Sequence, residues 1–178
     1  MSVARPWLLR GLIVVLLAAV VALVLVLSGD DDDGTAADAV PPRIVSVEEL
    51  REEASDSPFP IYWAGPIDEA RLELTQGSDG SALLRYLPPG TPLGGAGETA
   101  VSVGTYPLAD AAAATAGLAA QQGATVRSGP GGRTVIAPAE APRSAYFAAP
   151  GNVQVEVYAP TAQRALRLAA SAQVRPVE

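Results

Sequence analysis

The sequence predicts an α+β fold: a largely antiparallel sheet of about five to seven strands with two alanine-rich helices packed on one face, behind an N-terminal transmembrane helix. Three observations predict it. Hydropathy changes once and sharply, from an unbroken apolar run at Gly11–Leu27 to a mixed sequence beyond it. In that mixed part, short stretches alternating at period two are separated by turn residues, the pattern of half-buried antiparallel strands. Two longer stretches are rich in alanine, and one places its apolar side chains at helical spacing. The chain divides accordingly into a cytoplasmic tail (1–6), an anchor helix (7–27), an acidic and proline-containing linker (28–44) and an extracytoplasmic domain (45–178).

The anchor is GLIVVLLAAVVALVLVL. Seventeen helical residues span about 25 Å, slightly less than a bilayer's hydrocarbon core. Starting the helix at Trp7 and letting Arg10 reach the headgroups closes the gap. Arg5 and Arg10 precede the span and Asp30–Asp33 follow it, so the positive-inside rule sets the N-terminus in the cytoplasm and the domain outside. A cleaved signal peptide is the rival, but the nearest A-x-A, Ala37-Asp38-Ala39, lies beyond the four aspartates. The aspartates do not make an EF-hand loop. With Gly34 at its sixth position, the first and twelfth become Gly29 and Val40, which are not ligands. They read as a solvated spacer, and no metal or cofactor is expected.

Within the domain, Ser46-Val47-Glu48-Glu49 has the form of a capping box and opens a helix over Val47–Ala54, stopped by Pro58 and Pro60. Ile61–Gly65 reads as a strand. Arg71–Thr75 and Ala82–Leu87 make a hairpin about Gly77-Ser78-Asp79-Gly80. After a Pro/Gly-rich loop (88–97), Thr99–Tyr106 alternates again. A helix runs from Leu108 to Gln121, with Asp110 in its first turn and Gly123 ending it. Thr125–Val126 and Arg133–Ala137 flank SGPGG as a second hairpin. Ser144–Ala148 and Val153–Tyr158 form a third about Pro150-Gly151-Asn152, with Val153, Val155 and Val157 on one face and Gln154, Glu156 and Tyr158 on the other. A closing helix, Thr161–Ser171, gathers Ala162, Ala165, Leu166 and Ala169 on one face. VGTYPLADAAAA from Val103 and VEVYAPTAQRAL from Val155 echo one another as strand, tyrosine, proline and alanine-rich helix.

Composition excludes several chemistries. The 178 residues include no His and no Cys, and all 12 basic residues are Arg. This removes Ser-His-Asp and Cys-His nucleophile systems, Ser-Lys dyads, Schiff bases and the Walker A lysine. It also removes the commonest zinc ligands and any disulfide. A net charge of −7 without a basic patch argues against nucleic acid as a partner. Carboxylates remain, so a two-carboxylate hydrolase is formally open, with Asp68, Glu69, Glu73, Asp79 and Glu156 as candidates. Each has a plainer role in a loop, in a turn or on a polar strand face. The clusters Gly94-Gly95-Ala96-Gly97 and Gly129-Pro130-Gly131-Gly132 lack the spacing and the strand-to-helix setting of phosphate loops.

The candidate binding residues are aromatic. Tyr62 and Trp63 alternate on a strand, so only one ring can enter the main core from it, and the other could stack on a sugar or anchor a partner; the plainer reading is an edge strand with both rings covered by loops or by the Val47–Ala54 helix. Tyr86, Tyr106 and Tyr158 each end a strand one or two residues before a proline and could line one sheet edge; the plainer reading is that their rings close a core with the hydroxyl in water. No catalytic residue is assigned.

The pattern resembles uncharacterised single-pass envelope proteins of high-GC Gram-positive (actinobacterial) bacteria, through YWAG (62–65), RYLPPG (85–90), VGTYP (103–107) and QVEVYAP (154–160). The resemblance implies location and architecture and brings no activity or functional residues. The expectation is therefore a non-enzymatic module at the outer membrane surface that binds an envelope protein. A wall-glycan or small-ligand binder is the alternative, and a carboxylate-dependent hydrolase the second alternative.

Overall fold

A computed structural model describes residues 40–95 and 99–178. The anchor at 7–27, the tail before it and the linker up to residue 39 lie outside the described residues. Among the described residues, no helix is long and apolar enough to cross a membrane. All the elements named below fall in one compact unit.

The fold is α+β, as the alternation of patterns predicts. In chain order its elements are β1 (Val40–Val45), α1 (Val47–Asp56), β2 (Tyr62–Trp63), β3 (Arg71–Gln76), β4 (Ala82–Leu87), β5 (Val101–Pro107), α2 (Ala111–Ala119), β6 (Thr125–Ser128), β7 (Thr134–Ala137), β8 (Ser144–Ala149), β9 (Val153–Tyr158), α3 (Ala162–Ala169) and β10 (Arg175–Pro176). Eight strands form one sheet in the order β1-β3-β4-β5-β9-β8-β7-β6, and every neighbouring pair is antiparallel. One more strand than the widest expectation is present, because β1 adds to the edge of β3. Residues 40–44, read from sequence as the end of the linker, belong to that strand. A second, two-stranded ribbon pairs β2 with β10.

Two meanders meet at the β5–β9 seam, where Gly104 lies opposite Glu156 and Val103 opposite Val157. These are the strands of the sequence echo. Gly104 and Glu156 occupy equivalent places in it, so a two-fold axis perpendicular to the sheet would pass through their pair. Such an axis would send both following helices to one face, as expected from sequence. The structure departs from this.

One face of the sheet is apolar. Leu74, Leu84, Val103, Val157, Val155, Phe147 and Val135 carry it from β3 to β7, and Leu50 of α1 and Ala165, Leu166 and Ala169 of α3 close over it. The opposite face of β9 presents Gln154 and Glu156. There α2 packs, with the Gln154 amide donating to the Thr115 hydroxyl at 2.9 Å. The helices therefore take opposite faces for a chemical reason. The amphipathic α3 fills the apolar side, while α2, whose buried residues are only Ala111 and Thr115, covers a polar floor and supplies it with a partner. Hence β9 is buried on both faces rather than half-buried.

The capping box forms as the sequence predicts. The Ser46 hydroxyl accepts from the Glu49 N–H, and the Glu49 carboxylate accepts from the Ser46 N–H. Those bonds hold the exposed Glu49 carboxyl below its ordinary value, and Arg43 adds to the effect.

Candidate functional site

The aromatic candidates are distributed through the molecule rather than gathered at one edge. Tyr62 and Trp63 are both in the core, only 5% and 4% exposed. Both rings are covered, as on the edge-strand reading and not as a free stacking platform requires, and β2 lies edge-on. Its Tyr62 and Ala64 N–H groups point down to the sheet, donating to the Thr105 hydroxyl at 3.0 Å and the Tyr86 hydroxyl at 2.7 Å. Its other edge pairs with β10, where Trp63 faces Arg175 and the Val177 N–H reaches the Ile61 carbonyl. The two side chains thus leave sideways, and both find cover. Tyr62 meets Phe147 edge to face at 5.8 Å, and Arg175 lies 5.9 Å from the Trp63 ring. Tyr86 is buried beneath Ala64, and burial pushes its phenol well above the usual range.

Tyr106 belongs to a second group, on the polar face. Glu156 is buried there with one carboxylate oxygen accepting from Ser144 at 2.6 Å and Tyr146 at 2.9 Å. Its other oxygen lies 3.4 Å from the Tyr106 hydroxyl. Burial raises the Glu156 carboxyl above its ordinary value, and the three hydroxyls offset part of that rise. Burial and the facing carboxylate push Tyr146 and Tyr106 upward as well, so both remain protonated donors. The Tyr106 ring folds over Gly104, where a side chain would collide with it. Tyr158 stands apart, half-buried, with Arg143 5.1 Å from its ring.

The carboxylates do not converge. Glu73 is buried in an ion pair with Arg85 at 2.8 Å. Its strand is three places from that of Glu156 in the sheet order, so the two backbones are separated by about 14 Å. Two-carboxylate glycoside hydrolysis uses separations of roughly 5–9.5 Å. Asp79 accepts from the Ser81 N–H in the β3–β4 turn. Among the described residues, no three acidic side chains are grouped to hold a metal.

A cleft of about 570 Å³ opens where β7 and β8 separate. The two strands share one paired position, Ile136 with Tyr146, although β8 continues to Ala149. One wall is the outer side of α2, with Ala112, Ala116 and Ala119 at spacings of four and three. The opposite wall carries Tyr62, Phe147 and Arg133. Arg133 donates to the Ala169 carbonyl at 3.1 Å and the Val174 carbonyl at 3.0 Å, and its guanidinium lies 4.0 Å from the Phe147 ring centre. Burial lowers its affinity for the proton, while the neighbouring Tyr62 acts the other way. Of these residues only Tyr62 stands out in the sequence. SGPGG reads as turn chemistry, and nothing in the residues after it signals that the strands part.

Comparison with protein families, with curated proteins and with solved structures finds no match.

Proposed function

We propose that this chain is a non-enzymatic binding module, tethered to a membrane by residues 7–27, whose domain lies outside and recruits another envelope protein by strand addition at β6. The observation that carries this reading is the unequal state of the two sheet edges. At one end, β1 is blunted: Pro41 and Pro42 offer no N–H, and the pairing slips between Val40 and Arg43. At the other end, β6 is TVRS, without proline or register break, and all four residues are exposed. Val126, 52% exposed, offers an apolar side chain beside that edge. An extended segment of a partner can pair along such an edge, with main-chain hydrogen bonds giving affinity and alternate side chains giving specificity. Tethering would concentrate the domain near envelope partners.

The orientation and the outer location rest on the charge asymmetry about the apolar run. The absence of His, Cys and Lys, and the engagement of Glu73 with Arg85 and of Glu156 with three hydroxyls, support a role without catalysis. Stacking of a wall glycan on Tyr62 or Trp63 has less support, because the two residues are only 5% and 4% exposed.

The test is a photo-crosslinking residue placed at Arg127 in the full-length protein in its native membrane. A discrete adduct that disappears in Val126→Asp is the expected result. Adducts formed equally from position 43 on β1, or none from 127, would overturn strand addition at β6.

A further inference from the structure

We propose that the cleft between α2 and the parted strands β7 and β8 is a binding site for a small amphipathic anion, an apolar body carrying one carboxylate or phosphate, with Arg133 as the anion's partner. This goes beyond the strand-addition reading, because the cleft and the outer edge of β6 are separate features.

Charge is the first argument. The chain is acidic overall at −7, yet no carboxylate lines the cleft and one arginine does. Arg133 forms no ion pair among the described residues. It engages only two carbonyls and the Phe147 ring. Two of its five N–H donors are used in those bonds, which leaves three for a ligand. A half-buried guanidinium with neutral partners lacks the anion that such a group ordinarily has.

Preorganisation is the second. The two carbonyls, one of them at the C-terminus of α3, and the ring at 4.0 Å hold the guanidinium in one plane. Little side-chain freedom is left to lose when an anion docks. Shape is the third. The α2 wall carries only short side chains, Ala112, Thr115, Ala116 and Ala119, and the opposite wall includes Ile136 and two aromatic rings. An apolar body fits between them, and the volume falls within the roughly 300–1,000 Å³ of small-molecule sites.

The experiment uses the full-length protein in lipid nanodiscs, with empty nanodiscs as blank, and calorimetric titration of 4-phenylbutyrate, octanoate and phenyl phosphate. Inorganic phosphate and the neutral 4-phenylbutyramide serve as controls. Saturable binding is expected for at least one amphipathic anion. The carboxylates and phenyl phosphate report separately which head group is preferred. The amide should bind about tenfold more weakly than its acid, in keeping with loss of a charge-assisted hydrogen bond.

Ala116→Phe, at an exposed helix position, fills the cleft and should abolish binding without lowering the melting temperature. Arg133→Lys keeps the charge but loses the fork, and should weaken binding while the amide's affinity stays unchanged. No saturable binding by any of the three anions would overturn the proposal. So would equal binding of the amide, or an affinity unaltered by Ala116→Phe.

Discussion

Glu156 sits in the middle of a sheet with three hydroxyls around it and no cation among its contacts, so its protonation is coupled to folding. Burial raises its pKa above the ordinary 4.5. Once the pH passes the ordinary value, the unfolded chain releases this proton while the folded chain retains it. The contribution of Glu156 to stability therefore falls as pH rises from the ordinary value toward the raised one. Glu156→Gln removes that dependence. In urea melts at a series of pH values, the stability of the variant relative to the parent should increase with pH; a constant difference would show that Glu156 is not shifted. Nearby, Gly104 is required by the ring of Tyr106 rather than by its own backbone angle. Gly104→Ala should cost about 1–3 kcal/mol by overpacking, and much less in a Tyr106→Ala background. A double-mutant cycle measures that coupling. Little of this was legible in the sequence. The alternation of Val153–Tyr158 put Glu156 on the polar face correctly, but covering of that face by α2 depends on helix placement, which no local pattern encodes. Tyr106 read as the end of a strand, and only the register of β5 on β9 brings its hydroxyl to Glu156.

The elements that were legible are those with a local cause. The β3–β4 hairpin follows from period two on either side of a Gly-Ser-Asp-Gly turn, and α1 follows from its capping box. Ser46→Ala removes one of the two cap bonds and should cost about 1 kcal/mol, measurable by chemical denaturation; no loss would mean that the box is idle. The elements that were missed have no period to display. β1 contains two prolines, and β10 is Arg-Pro, so each exists only because a partner strand is offered to it. The edge-on setting of β2 likewise comes from hydroxyls on the sheet floor, Thr105 and Tyr86, more than 20 residues away in sequence. That is why Tyr62 and Trp63 are both covered, an outcome that strand alternation alone does not produce.

At the scale of the molecule, residues 174–178 act as a clasp. Val174 is fully buried, its carbonyl receives Arg133, Arg175 and Pro176 pair with β2, and the Glu178 carbonyl accepts from Arg51 of α1. A variant ending at Ser171 loses the buried valine, the second strand of the ribbon and one anchor of Arg133 together. We expect its unfolding free energy to drop by about 3 kcal/mol or more, with faster proteolysis of the β2 segment. A melting curve coincident with that of the parent would show the clasp to be superfluous. The fold class was readable because hairpins and amphipathic spacing are local. The closing of the molecule was not, because it joins residues 61–63 to residues 175–177.

That clasp also sets an order of events. Residues 174–177 come after every other element in the chain, so a nascent polypeptide can complete the sheet's apolar cover only after they have emerged. Until then Val174 is missing from the core and β2 lacks the second strand of its ribbon. Emergence of residues 174–177 is thereby coupled to closure of the core, whatever order the other elements form in.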